Sequence, residues 1–246
     1  MYSRRIIARF FFLFGLIQFA FSQTNNSDQA YYTAFDSIVG QVNSSLFNGK
    51  RYVDKYRSTD DNHRFFWKSK FIKGDVTYYQ QPFFNIDLKY DLFEDILITK
   101  LPGEKNFFNM VFTTEHLKQF NIQGHHFINI TSVGETSFKG FAEILYKGTE
   151  IVLLKKWFKD KSDRIVGQSV VHKFDENFIF LVSFNGKLDV INSKSDLKKL
   201  IPDKSNEINS FYKEQKSVLK SDPDSFMKQL IIQLDNNIIN GSNKDL

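Results

Sequence analysis

Between residues 64 and 192 the apolar positions come in short runs, often at every second residue, with turn-forming residues between them. Side chains alternate faces along a strand, so this spacing predicts β-strands. They fall near 64–68, 71–79, 83–90, 95–101, 107–112, 125–131, 138–147, 150–158, 168–174, 177–184 and 187–192. In the third run Phe84, Ile86, Leu88 and Tyr90 share one face, and Phe83, Asn85, Asp87 and Lys89 share the other. Asn185-Gly186 between FLVSF and KLDVI is the strongest hairpin signal, since both residues tolerate the positive φ of a type I′ turn. Lys147-Gly148 marks a weaker one. Successive hairpins without helices between them predict an antiparallel meander over 46–192, of about nine to eleven strands, forming a sandwich or a partial barrel. FNGK occurs at 47–50 and at 184–187 and reads as one turn chemistry used twice.

After Ile191 the period becomes helical. Ser193 or Ser195 caps a short helix that Pro202 stops. A second helix near 204–219 carries an apolar stripe of Ile208, Phe211, Tyr212, Val218 and Leu219. A third begins at Asp222 as N-cap with Pro223 in the first turn, and its stripe is Phe226, Met227, Leu230, Ile231 and Leu234. These stripes need a surface, so helices over 193–236 are expected to pack on the sheet, with a frayed tail at 237–246. The class expected is therefore mainly β, of the α+β kind.

The chain's start has a different pattern. Arg4, Arg5 and Arg9 precede a mostly apolar run, Phe10 to Phe21, and Ala20 and Ser22 supply the small residues of a cleavage site before Gln23. Residues 1–22 read as a secretory signal peptide, because the run falls short of the roughly 20 residues that span a bilayer. Residues 23–45 form an N-terminal segment in which Tyr31, Phe35, Ile38 and Val39 predict a short helix. The mature chain has no transmembrane segment of its own. Removing the leader's three arginines takes the formal net charge from +5 to +2, too little for the broad basic field of a nucleic-acid partner. The absence of cysteine excludes a disulfide framework and favours a bacterial periplasm or cell surface over a eukaryotic secretory route.

Candidate chemistry is sparse. Asp87, Asp91, Glu94 and Asp95 crowd into nine positions. The alternation puts Asp87 and Asp91 on a polar strand face beside Lys89, followed by a turn that Asp favours, so a solvated hairpin tip outweighs an acid site. A calcium loop is disfavoured, because Leu92-Phe93 interrupts the oxygen ligands. His125 and His126 leave opposite faces of a strand, while His63, His116 and His172 are dispersed, so no metal-ligand set is expected. Phosphate-binding and nucleophile-elbow signatures are absent, and neither a cofactor nor a catalytic residue is assigned. Trp67, Tyr78, Tyr79, Phe83 and Trp157 are the candidate ligand residues, as a platform for sugar rings or an acyl chain; aromatics on a sheet more often form core.

G-D-V-x-Y at 74–78, N-x-x-L-K-Y-D at 85–91 and D-x-L at 95–97 resemble a group of uncharacterised exported β-rich proteins of Bacteroidetes. SKSDLKKLIPDKSNEINSFYKEQK, at 193–216, is similar to the closing helices of that group. Gln80-Gln81 stands where the group has glycine after the second tyrosine. The resemblance implies an exported β-rich domain and carries over no catalytic residues.

The function expected is thus a non-enzymatic periplasmic or envelope-associated binding or accessory protein. Its partner is an envelope component or an apolar or saccharide ligand. Two alternatives stand beside it: a carrier of a lipid or other apolar ligand inside a curled sheet, and an envelope-polymer hydrolase acting through Asp87, Asp91 or Asp95.

Overall fold

A computed structural model of the chain describes residues 45–242 apart from 57–58, 60, 103–106 and 133–137. The signal peptide and the helix expected within 23–45 lie outside the described residues. The strands are β1 (Gly49–Arg51), β2 (Ile72–Tyr78), β3 (Gln81–Asp91), β4 (Ile96–Pro102), β5 (Phe107–Phe112) and β6 (Leu117–Ile122). They continue as β7 (His125–Asn129), β8 (Phe141–Lys147), β9 (Ile151–Val166), β10 (Ser169–Phe184) and β11 (Lys187–Ile191). All eleven join one antiparallel sheet in the order β1-β5-β4-β3-β2-β6-β7-β8-β9-β10-β11. The mainly β class with packed C-terminal helices is therefore the fold of this chain.

The order departs from a simple meander. Consecutive strands β5 and β6 are separated in the sheet by β4, β3 and β2, yet residues 113–116 alone connect them. Four strand spacings on a flat sheet are about 19 Å, beyond the reach of so short a link tightened by a 3₁₀ turn at Thr114–His116. The sheet must curl. Ring contacts across it agree: Tyr78 and Phe112 lie 4.9 Å apart, and Tyr90 and Phe141 6.0 Å apart. Lys159 N also donates to Leu92 O at 3.3 Å, which stitches β9 to the β3–β4 turn. Aromatic side chains fill the space enclosed, with Phe120 stacked on Phe127 at 4.8 Å and both fully buried.

Several local expectations are corrected. A bulge in β3, with Asn85 at φ 55, sets Gly74 opposite Ile86 but Val76 opposite Phe83. The extra residue resets the pleat, so Phe83 points into the core together with Ile86, Leu88 and Tyr90 rather than away from them. The run at 64–68 makes only a single bridge, Phe65 to Asp91. The runs at 168–174 and 177–184 are one strand, because Asp175 and Glu176 stay paired with Asp160 and Lys159 of β9. Asn185-Gly186 closes its hairpin with φ of 51 and 75, as its type I′ chemistry requires, whereas FNGK at 47–50 ends a 3₁₀ turn and begins β1.

The helices are α1 (Lys194–Leu200), α2 (Ser205–Glu214), α3 (Lys216–Ser221) and α4 (Pro223–Ser242). Ser193 caps α1 in a capping box with Asp196, and Asp222 caps α4 by accepting from Ser225 N at 3.0 Å. The second expected helix is broken at Gln215 into α2 and α3. The apolar stripe of α4 is buried with Ile151, Leu153, Phe180 and Val182 of β9 and β10. Helix α4 also runs on to Ser242, into the stretch expected to fray, of which 243–246 lie outside the described residues. No helix among the described residues is long and apolar enough to cross a membrane.

Part of the reason α4 holds on past Leu234 is Asp235, which is buried. Its carboxylate accepts from Thr149 N at 3.1 Å, Glu150 N at 2.9 Å, Ile151 N at 2.8 Å and Tyr146 Oη at 2.9 Å. One helical side chain thereby satisfies three successive amides of the β8–β9 turn. Position 148 has to be glycine, since a Cβ there would come within 2.2 Å of Asp235 Oδ2. Burial pushes the Asp235 carboxyl up, but the four donors outweigh it and hold it below the ordinary carboxylate range. A depressed carboxyl stabilises the fold above its unfolded value, near 3.9, and loses that contribution as pH falls through the folded value. Asp235→Asn should therefore cost about 1.5–3 kcal/mol at pH 7, the range for bonds to a charged group. In urea unfolding at successive pH values, the gap between variant and wild type should narrow below about pH 4. A gap that is constant with pH would mean the charge of Asp235 is immaterial.

Candidate functional site

The five aromatic candidates do not meet as one platform. Tyr78 and Phe83 are buried in the core, and the Tyr78 hydroxyl donates to Asn48 O and accepts from Thr113 N. They are structural. Trp67 is exposed, in the left-handed region at φ 62, with its ring 5.6 Å from that of His125. Trp157 is half-buried between Phe66, at 5.8 Å, and Phe178, at 5.7 Å. Tyr79 is on the β2–β3 turn, exposed, with its ring stacked on His116 at 3.9 Å.

Two of these rings border a polar ladder where the curled core meets the helices. Glu143, nearly buried, accepts from Trp157 Nε1 at 2.7 Å and lies 2.6 Å from His125 Nδ1. Lys155 is opposite Glu143 in the β8–β9 register, but its ammonium turns to Asp224 at 2.7 Å. It passes over the rings of Trp157 at 3.6 Å and Phe178 at 4.0 Å. A buried cation of this kind needs a partner, and the first turn of α4 supplies it. The ladder fastens helix to sheet through satisfied groups.

The acid cluster is likewise engaged; Asp87 keeps the expected solvated face, and Asp91 does not. Asp87 is half-exposed and pairs with Lys73 at 3.1 Å. Asp91 is fully buried: Oδ2 meets Arg64 Nε at 2.5 Å, while Oδ1 accepts from Phe93 N at 3.0 Å and Glu94 N at 3.1 Å. Burial pushes its carboxyl up against the pull of Arg64 and the turn amides. Arg64, itself 1% exposed, also reaches Tyr52 and Asp54 and lies over the Phe65 ring at 4.6 Å. Asp95 accepts from Tyr90 Oη at 2.6 Å and Lys156 Nζ at 2.7 Å. Among the described residues the three carboxylates thus bind three different cations, in contacts that pin strands, and do not converge on one reacting point.

The open concavity lies on the other face of the sheet. Strands β6 to β9 and the turn before β3 bound a half-open groove of about 860 Å³. Ile128, Ile144, Val152 and Leu154 make an apolar floor, and Tyr79, His116, Lys118, His126 and Lys147 stand around it with Glu115. His125 and His126 do leave opposite faces: the first joins the ladder, the second lines the groove. Burial and the nearby Lys147 charge lower the His126 pKa, which keeps the ring neutral at pH 7, and its Nε2 is buried without a hydrogen-bond partner. Of the five candidates from sequence, Tyr79 alone lines this groove. The others that do lie on four separate strands, the β5–β6 link and, for Gln80, the β2–β3 turn, and only the alternation of Ile128 with Phe127 hinted at a second apolar face.

No protein-family model matches the chain, and no curated protein or solved structure is significantly similar to it.

Proposed function

We propose that this is an exported, envelope-associated binding protein without catalytic activity, and that the groove over β6–β9 holds its ligand. The observation that carries the reading is the groove itself: an apolar floor, a polar rim, and about 860 Å³ of space. Small-molecule sites are typically concave and mostly apolar with a few polar groups, at roughly 300–1,000 Å³. A carrier holding its ligand inside the curled sheet has less support, because buried aromatics occupy that interior. A hydrolase using Asp87, Asp91 or Asp95 is weakened by the ion pairs those groups already make.

Nile red, a neutral apolar dye, tests the site. Its fluorescence should rise and shift to the blue on mixing with the mature protein. Ile144→Trp and Val152→Trp, each filling the floor, should abolish the change without altering the melting temperature. Dye binding that ignores both substitutions would remove the groove as the site. Export has its own check: the native protein should begin at Gln23, and recovery of intact Met1 from a soluble cytoplasmic pool would refute it.

A further inference from the structure

Resting on the groove as the binding site, the charge around it narrows the ligand. Lys118 and Lys147 line the groove, both are exposed, and neither is paired with a carboxylate among the described residues. Elsewhere the lysines of the sheet are commonly paired: Lys73 with Asp87, Lys155 with Asp224, Lys156 with Asp95 and Lys159 with Glu176. Two unpaired cations over an apolar floor are complementary to a negative head on a hydrocarbon chain. Glu115 is the acid among the lining residues, so the cations outnumber it.

The floor is equally specific. Ile128, Ile144 and Val152 are only partly buried, and they continue the apolar cluster of Leu154, Leu181 and Leu188 beneath. A chain laid along them removes apolar surface from water at about 25 cal/mol per Å². A free inorganic anion would gain nothing from this strip, and a purely apolar ligand would gain nothing from the lysines.

We infer that the groove binds a single-chain anionic amphiphile, with the chain over Ile128, Ile144 and Val152 and the head at Lys118 and Lys147. The test uses the mature protein in calorimetric titration with sodium decanoate, decanol and sodium acetate, all below micellar concentrations, alongside methyl NMR of the groove isoleucines. Decanoate should bind at least about tenfold more tightly than decanol, a margin one charge-assisted contact supplies, and acetate should not bind. Lys118→Gln with Lys147→Gln should bring decanoate down to the affinity of decanol and leave decanol unchanged. Both lysines are on the surface, so the double variant should keep the wild-type melting temperature. Equal affinity for decanoate and decanol in the wild type would overturn the anionic head while the groove remains a binding site. If neither chain binds and the isoleucine methyls stay unshifted, the groove itself fails. Recruitment to phosphatidylglycerol vesicles without any binding of monomeric decanoate would overturn the single-chain ligand in favour of a membrane surface.

Discussion

Asp91→Asn should lower the unfolding free energy by about 3–5 kcal/mol, the usual consequence of removing one partner of a buried ion pair. The substitution isolates the charge. An amide oxygen can still accept from Phe93 N and Glu94 N, which Asp91 Oδ1 now satisfies, so the turn itself can persist. What is lost is the anion 2.5 Å from Arg64 Nε. The guanidinium is then left 1% exposed, with Nη1 already lacking a partner and with Asp54 as its remaining carboxylate. Asp54 lies at the surface, 56% exposed at its side chain, where water screens it and it cannot replace a buried counter-charge. Asp87→Asn is the internal control. Its pair with Lys73 is largely exposed, and such pairs contribute about 0.2–1 kcal/mol. Urea unfolding followed by tryptophan fluorescence at pH 7 measures both variants, and equal small losses would show that Arg64 and Asp91 are not coupled in solution.

The contrast between these two aspartates shows where the sequence could be read and where it could not. Alternation in 83–91 placed both on the polar face, and it holds from Ile86 to Asp91, where Ile86, Leu88 and Tyr90 face the core; what it misses lies outside that run. The bulge at Asn85 moves Phe83 to the inner face, and Arg64, 27 residues before Asp91, comes back along the strand end to bury it. Neither event leaves a local mark. The hairpin at Asn185-Gly186 and the caps at Ser193 and Asp222 were legible because turn and cap chemistry acts over a few residues. Strand β6 escaped notice: Leu117, Phe120 and Ile122 are buried, but the spacing from Leu117 to Phe120 breaks strict alternation. Missing β6 also hid the curl, since the short β5–β6 link is what demands it. The groove depends on the same event. Once β6 pairs with β2 on one side and β7 on the other, Lys118 shares a groove with His126 and Lys147, residues whose only link in the chain is that topology.

Leu230→Ala should cost about 2–5 kcal/mol, the loss expected when a fully buried leucine is cut back and its surroundings relax only in part. Leu230 stands at the middle of the α4 stripe, among Phe226, Ile231 and Leu234, in the cluster that includes Ile151 and Leu153 of β9 and Phe180 and Val182 of β10. Gln229, its exposed neighbour, provides the control: Gln229→Ala should change the midpoint within about 0.5 kcal/mol. The physical reason for so large a difference is that a helix in a protein draws most of its stability from packing its apolar face, so α4 owes its stability to the sheet it covers. Deleting 222–246 extends the argument. It would uncover the apolar residues of β9 and β10, leave Lys155 without Asp224, and strip the β8–β9 turn of the Asp235 carboxylate. The truncated chain should aggregate, which light scattering would register. A truncated chain that stays monomeric with an unchanged unfolding midpoint would mean that α4 is an independent arm and that the sheet is stable without it.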